Sequence, residues 1–174
     1  LLGEQFNYRS SFETEDGTIY LGSIDGFVAF NPKNFSENKS LPSIVITDFL
    51  LFGKEVYPGD PSSPLKKSIN FLDELVLQPD QNSFSFRVAA LDFQAPRMNQ
   101  IMYKLDGFDD EWLPVGESPV VSYSNLWYGN YTFRVKASNS DGVWNENEVS
   151  LIVRILPPFY LTIWAYCVYV LLII

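Results

Sequence analysis

The chain has 174 residues, of which 47% are hydrophobic, 16% aromatic and 19% charged, and its formal net charge is −9. This apolar content excludes a disordered chain, and the acidic balance excludes a protein that binds nucleic acid through a basic face. Histidine is absent and Cys167 is the single cysteine, which excludes an imidazole base, a histidine-ligated or cysteine-ligated metal and an intrachain disulfide. Because the chain begins at Leu1 and no signal peptide opens it, we expect a piece of a longer protein.

Residues 1–31 predict a three-stranded antiparallel meander. The pairs Asp16-Gly17 and Asp25-Gly26 separate three apolar runs. Asp-Gly between such runs is a strong hairpin signal, and we expect both turn residues to have positive φ. Three strands with exposed edges bury little surface on their own, so we interpret this segment as part of a β-propeller blade.

Residues 32–42 are a polar linker, and a second unit follows at residues 43–156. Seven runs in this unit show the period-two alternation of strands, and no helix is predicted before residue 157. A phase change at Thr47-Asp48 predicts a β-bulge. The fold class is therefore all-β, and the length matches a two-sheet immunoglobulin or fibronectin III-like sandwich. The predicted strands are Ser43–Phe52, Glu74–Gln78, Asn82–Phe93, Gln100–Asp106, Val120–Tyr123, Asn130–Ser138 and Glu148–Ile155.

The C-terminal segment is uncharged from residue 155 to residue 174. A helix over the sixteen residues 159–174 would be roughly 24 Å long, against about 30 Å for a hydrocarbon core. Tyr160, Trp164 and Tyr166 lie near its start, as aromatic residues do at a membrane–water boundary. We predict that residues 157–174 contain the start of a transmembrane helix. A buried terminal strand or helix is the alternative, since the run is rich in β-branched residues.

Few side chains indicate a metal site or a catalytic site. The acidic run Asp106, Asp109, Asp110 and Glu111 lacks the spacing of a calcium-binding loop, so we interpret it as a solvated loop. Since no pocket can be named that would raise the pKa of one carboxyl group, a glycosidase pair is not predicted. We therefore predict no catalytic residue, no cofactor and no metal site.

Two tryptophans are weak candidates for ligand contact. Trp112 and Trp144 each follow a turn, and exposed aromatic rings stack on sugars. Packing over the edge of the sandwich is the favoured interpretation of both.

The run LWYGNYTFRVKASNSDG resembles a tyrosine corner followed by the F–G region of a fibronectin III domain. With PSIVITDFLLFGKEV, QNSFSFRVAALDF and YKLDGFDDEW, it makes residues 43–156 resemble the Y_Y_Y domain of Bacteroides-type hybrid two-component sensor histidine kinases. GTIYLGSIDGFVAFNP resembles the last propeller blade of the same family. The tyrosines that name the domain would be Tyr103, Tyr123 and Tyr131. The sequence departs from the family at Trp127-Tyr128, where a Pro-Pro pair is usual.

This resemblance implies a glycan sensor that serves polysaccharide utilisation. It further implies a periplasmic domain of an inner-membrane protein, a homodimer, and a kinase that lies outside this chain. Most contacts to an oligosaccharide ligand would lie on the propeller. The chain itself is then not an enzyme, and it would relay the signal to the membrane helix.

The last strand runs into Pro157-Pro158 and then into the apolar segment, without a flexible linker, so we expect rigid coupling there. The alternative function is a non-signalling carbohydrate-binding or tether module of a membrane-anchored surface protein. A kinase encoded beyond residue 174 would distinguish the two functions.

Overall fold

The computed structural model describes residues 6–35, 38–92, 96–116, 118–163, 165, 167, 171 and 172. The chain divides into two compact units, Leu1–Asn38 and Lys39–Ile174, and this boundary lies within the predicted linker. The strands are β1 (Phe6–Glu13), β2 (Ile19–Ser23), β3 (Gly26–Phe30), β4 (Ser43–Leu51), β5 (Lys54–Glu55), β6 (Glu74–Leu77), β7 (Phe84–Leu91), β8 (Gln100–Asp106), β9 (Leu113–Pro114), β10 (Val120–Tyr123), β11 (Gly129–Ser138) and β12 (Val149–Ile155).

The first unit is an antiparallel sheet in the order β1-β2-β3, which confirms the predicted meander. The predicted turn geometry is wrong, because Gly17 and Gly26 have positive φ whereas Asp16 and Asp25 do not. Asp16 acts through its side chain instead: its carboxylate accepts hydrogen bonds from the hydroxyl groups of Thr14 and Thr18. These bonds close the loop and hold the pKa of Asp16 below its usual value.

The second hairpin turns one residue earlier than predicted. Ser23 pairs directly with Gly26, so the two-residue loop is Ile24-Asp25. The glycine therefore begins β3 at φ 144° and is not the second residue of the turn.

The second unit is a β-sandwich, so the predicted all-β fold is confirmed. Its four-stranded sheet has the order β10-β7-β4-β5, and its five-stranded sheet has the order β6-β12-β11-β8-β9. The strands pair antiparallel except β6, which runs parallel to β12. All seven predicted strands are present within two residues at each described end, and β5 and β9 add two residues each. The predicted end at Phe93 lies outside the described residues. The register of β4 on β7 shifts between Ile46 and Asp48, which confirms the predicted bulge.

The core lies between the two sheets and is rich in phenylalanine. The Phe86 ring on β7 stacks on the Phe133 ring on β11, with 4.5 Å between centroids, and so joins the two sheets. Phe49 and Phe84 contact Phe86 within the first sheet. Alternation along each strand sends these side chains to one face, and burying each contributes about 1.5–3 kcal/mol.

The chain leaves the sandwich at β12 through Pro157 and Pro158. A 3₁₀ turn at Phe159–Leu161 follows, and the described residues from Ile163 onward are helical. Phe159 and Ile163 are exposed, so this part of the segment is not the buried strand that was the alternative. Among the described residues, no helix is long and apolar enough to cross a membrane. Much of the predicted anchor at residues 157–174 lies outside the described residues, and the anchor stays a prediction.

Candidate functional site

Tyr123 on β10 is the most buried of the three predicted tyrosines, with 6% of its surface exposed. Its hydroxyl donates a hydrogen bond of 2.8 Å to Oδ2 of Asp109. Its ring makes edge contacts with Tyr103, Phe108 and Phe133. Burial, and after it the bond to Asp109, raises the pKa of Tyr123 far above its ordinary value. The phenol is therefore neutral and serves as a donor between the two sheets.

Asp109 reaches this position because the chain turns sharply after β8. Gly107 has φ +94°, and the amides of Phe108 and Asp109 donate to the Leu105 carbonyl. The Asp109 carboxylate then accepts from the Leu105 amide at 2.7 Å as well as from Tyr123. The prediction of a solvated acid is thus wrong for Asp109. The sequence did contain a signal for this turn. Gly107 directly follows β8, and Asp109, two residues later, can accept a hydrogen bond from a backbone amide of β8.

Tyr131 forms a tyrosine corner at the start of β11. Its hydroxyl donates to the Trp127 carbonyl oxygen at 2.9 Å. The loop before it is held at two further points, since Leu126 is buried and the Asn125 amide donates to Oγ of Ser83 at 3.2 Å. These contacts supply the order that a Pro-Pro pair would give through fixed φ angles.

Tyr103 on β8 is partly buried and packs against the core, as Tyr131 does. Its ring meets that of Tyr123 edge to face, with 6.3 Å between centroids. Burial, and then the charge of Asp109, raises the pKa of Tyr103. That Tyr103, Tyr123 and Tyr131 are the tyrosines that name the domain stays a prediction.

Trp112 and Trp144, which are distant in sequence, meet at Lys136. Nζ of Lys136 lies 4.3 Å from the Trp112 ring centroid and 5.6 Å from that of Trp144. The Arg134 guanidinium also lies over Trp112, at 5.3 Å. Cation–π contacts of this kind cover the ring faces that a sugar would need. The arrangement therefore favours packing over β11 and gives little support to a sugar platform.

Asp106, the acidic residue that ends β8, has two basic neighbours. Asp106 lies 3.3 Å from Arg134 and 3.6 Å from Lys104. Within the part of the chain that the structure describes, no group of three or more His, Cys, Asp or Glu side chains could hold a metal ion.

Two asparagines that were not predicted as functional residues hold the segment that enters the sandwich. Nδ2 of Asn139 donates to the Ser40 carbonyl at 3.0 Å, and Nδ2 of Asn145 donates to the Pro42 carbonyl at 2.9 Å. Oδ1 of Asn139 accepts from the amides of Asp141 and Val143. Asn139 is 1% exposed, so these bonds are shielded from water. A hydrogen bond between one side chain and a carbonyl about a hundred residues away leaves no periodic pattern in the sequence, so these two contacts could not be predicted.

At the opposite end of β11, the exit segment is held by its neighbours. Ile155 of β12 pairs with Gly129 on one side and with Leu77 on the other. The Leu156 amide adds a bond of 3.0 Å to the Leu77 carbonyl. Pro157 therefore follows immediately after Leu156, the last residue that is hydrogen-bonded to the sheet. Pro157 and Pro158, which were predicted to couple the sandwich to the membrane, lie at this end, and the Asn139 contacts lie beyond the other end of β11.

Comparison with known proteins identifies the domain that this geometry belongs to. Residues 92–156, which contain the three tyrosines, Asp109 and the exit strand, match the profile of the Y_Y_Y domain family. Over these residues the second unit is similar to Y_Y_Y domains. The recognition made from the sequence is confirmed.

Longer proteins align with almost the whole chain. Histidine kinase P4 of Formosa agariphila is 33% identical over 171 residues, which are 98% of this chain and 12% of that protein. The extracellular domain of BT3049, assigned to a hybrid two-component system of B. thetaiotaomicron, is 28% identical with a TM-score of 0.68. The alignment covers 84% of this chain and 20% of that one.

A second solved extracellular domain, that of BT4673 from B. thetaiotaomicron, is 28% identical with a TM-score of 0.63 and covers 90% of this chain and 21% of its own. The chain thus spans a small part of each relative. The Y_Y_Y domain and these neighbours are non-catalytic sensor domains, so the prediction that this chain is not an enzyme is confirmed, and its location is extracytoplasmic.

Proposed function

We propose that this chain is a relay in a membrane-bound two-component histidine kinase, on the periplasmic side of an inner membrane. Its Y_Y_Y domain passes a ligand-dependent movement from a propeller to a transmembrane helix. The relatives support a sensor role. The observation that supports the relay is that hydrogen bonds hold the backbone at both ends of the sandwich, at residues 40–42 and at Leu156.

At the exit, the last hydrogen bond of the sheet is made by the Leu156 amide, and Pro157 follows immediately. Two prolines fix φ near −65° and give the segment little freedom before the turn at Phe159–Leu161. A displacement of β12 is therefore transmitted to the following helix and is not absorbed by a flexible linker.

At the entry, the side chains of Asn139 and Asn145 hold the backbone of residues 40–42. β11 joins these contacts to the exit, because Ser138 ends it beside Asn139 and Gly129 begins it beside Ile155. Its ten residues span about 33 Å at 3.3 Å per residue. A central strand bonded on both edges is a stiff connection between the two ends.

The proposed input is an oligosaccharide bound mainly by the propeller, and the proposed assembly is a homodimer. The covered faces of Trp112 and Trp144 agree with ligand contacts that lie outside the sandwich. A ligand can change the output only if it binds one arrangement of the dimer better than another. Two sandwiches that change their separation would then change the separation of two helices.

The test is an insertion in the full-length protein. Four Gly/Ser residues placed between Leu156 and Pro157 should abolish oligosaccharide-dependent autophosphorylation while basal phosphorylation remains. The matched control places the same residues after Gly59, in an exposed turn where a Cβ would meet no atom within 4 Å. Stimulation by an oligosaccharide panel that is unchanged in the exit insertion would refute direct coupling. A protein without a kinase beyond residue 174 would instead be the predicted tether module.

A further inference from the structure

Four aromatic side chains lie exposed where the chain leaves the sandwich. They are Trp127 (68% exposed), Tyr128 (40%), Phe159 (82%) and Tyr160 (48%), and we name them the aromatic collar. The rings touch in pairs, with 5.3 Å between the centroids of Trp127 and Tyr128 and 5.5 Å between those of Phe159 and Tyr160. The two pairs come from segments about thirty residues apart in the chain, and both lie at the same end of the sandwich as Ile155.

A cleft of about 160 Å³ is lined by three of these four side chains, Trp127, Tyr128 and Tyr160. Leu156 and Pro158 line it as well. All of the described residues that line this cleft are uncharged. The lining also includes the amide side chains of Asn82 and Asn125, so this surface is uncharged and mixes aromatic, apolar and amide groups.

Hydrogen bonds and one buried side chain hold the backbone that carries the collar. Leu126 is buried next to Trp127, and the Tyr131 hydroxyl holds the Trp127 carbonyl. On the other side, the Leu161 amide donates to the Pro158 carbonyl at 2.9 Å. Exposed aromatics on a fixed backbone lose little further entropy when they bind.

Charged residues are excluded from the sequence around the collar. Residues 118–133 contain no Asp, Glu, Lys or Arg, and neither do residues 155–174. The second of these stretches continues directly into the apolar C-terminal segment. Part of the first stretch lies in the core, and its exposed residues, Trp127 and Tyr128 among them, add no charge to the collar.

The geometry points to the aromatic collar as a docking surface for the interfacial layer of a lipid bilayer. Tryptophan and tyrosine favour this layer, because their apolar rings leave water while the N–H or O–H group keeps a polar partner. The net charge of −9 gives no attraction to anionic lipid, so aromatic partitioning supplies the contact. The inference rests on the proposed membrane anchor and adds a second attachment, through Trp127 and Tyr128, that sets the tilt of the sandwich.

The test uses the whole chain with Trp164→Phe, mixed with phosphatidylcholine vesicles that carry a spin label on the lipid headgroup. Trp127 should be quenched by the label and its emission should shift to shorter wavelength. Adding Trp127→Phe should abolish both changes, whereas adding Trp112→Phe should leave them. Trp112 is a matched control because it is the same residue type far from the collar. It packs against Lys136, which lies about 23 Å along β11 from Gly129 at the collar end. High salt should leave the quenching unchanged.

The outcomes separate this inference from the proposed anchor. If the chain does not sediment with the vesicles, both the anchor and the collar are wrong. If it sediments but Trp127→Phe does not alter the quenching, the anchor stands and the collar is wrong. If quenching is absent and Trp127→Phe dissociates a dimer in analytical ultracentrifugation, the surface binds a second copy of the chain and the bilayer contact is overturned.

Discussion

At the scale of single residues, the hydroxyl of Tyr131 makes one hydrogen bond across the corner between the loop and β11. Tyr131→Phe removes this bond and leaves the ring in place. We expect the free energy of unfolding, measured with urea, to fall by about 1 kcal/mol, the usual net value of such a bond. Tyr128→Phe is the control, since it removes a hydroxyl from an exposed ring of the same loop. Equal effects of the two substitutions would contradict a role for the corner.

The raised pKa of Tyr123 should make the free energy of unfolding depend on pH in the alkaline range. Its pKa is raised from 10.0 by burial and by Asp109, so the folded state retains a proton that the unfolded state loses above about pH 10. The stabilisation is complete below that pH and is lost above it, with a slope of about 1.4 kcal/mol per pH unit. Tyr123→Phe should reduce the slope of the alkaline decline in urea-unfolding free energy. Some decline should remain, since burial also raises the pKa of Tyr103.

The same substitution has a separate effect at neutral pH. Asp109 loses the tyrosine donor and keeps the Leu105 amide. A hydrogen bond to a charged group contributes about 1.5–3 kcal/mol, and we expect a loss of that size. Alkaline limbs of equal slope in the wild type and in Tyr123→Phe would show that Tyr123 is not the titrating group.

At the scale of elements, the turn after β8 depends on Gly107. Its φ is +94°, and a Cβ there would lie 3.2 Å from Cδ1 of Tyr131 and 3.5 Å from the Asn130 carbonyl oxygen. Gly107→Ala should therefore cost about 1–3 kcal/mol from backbone strain, with crowding in addition. Two control substitutions separate the effect of backbone strain from that of crowding. Gly53→Ala has positive φ in open space and tests strain alone, while Gly116→Ala has open space without positive φ and should be neutral. Differential scanning calorimetry of the three variants would measure the order, and a Gly107→Ala protein as stable as Gly116→Ala would refute the argument.

The elements also show which parts of the structure could be predicted from sequence. Alternation placed β11 within one residue of its observed bounds, because half of its side chains must enter the core. The same rule could not place Asp109, whose role depends on a turn that returns its carboxylate to Leu105 and Tyr123. Nor could it find the contact between Asn139 and Ser40, since a single side chain bonding a distant carbonyl leaves no repeat. Local turn chemistry was also misjudged at Asp16, where side-chain hydrogen bonds replaced a positive φ.

At the scale of the whole molecule, the two units differ in how they are stabilised. The buried hydrophobic residues that the structure describes all lie in the second unit, beginning at Ile44. In the first unit, β1 is largely exposed, and the large side chains Phe6, Tyr8 and Phe12 face solvent. A three-stranded sheet needs a packed hydrophobic face for independent stability. Among its described residues the meander buries no large hydrophobic side chain, and that it is part of a propeller blade stays a prediction.

This difference predicts uneven protection of backbone amides. In native-state hydrogen exchange followed by mass spectrometry, the amides of β7, β11 and β12 should exchange only through global unfolding. Those of β2 should exchange far faster, through local opening that costs little of the global free energy. A series of low urea concentrations should accelerate exchange in β7, β11 and β12 and leave β2 nearly unchanged, because only global opening exposes the core. Equal protection in β2 and β11 would mean that the first unit has a stabilising partner within the chain, and the blade interpretation would then be wrong.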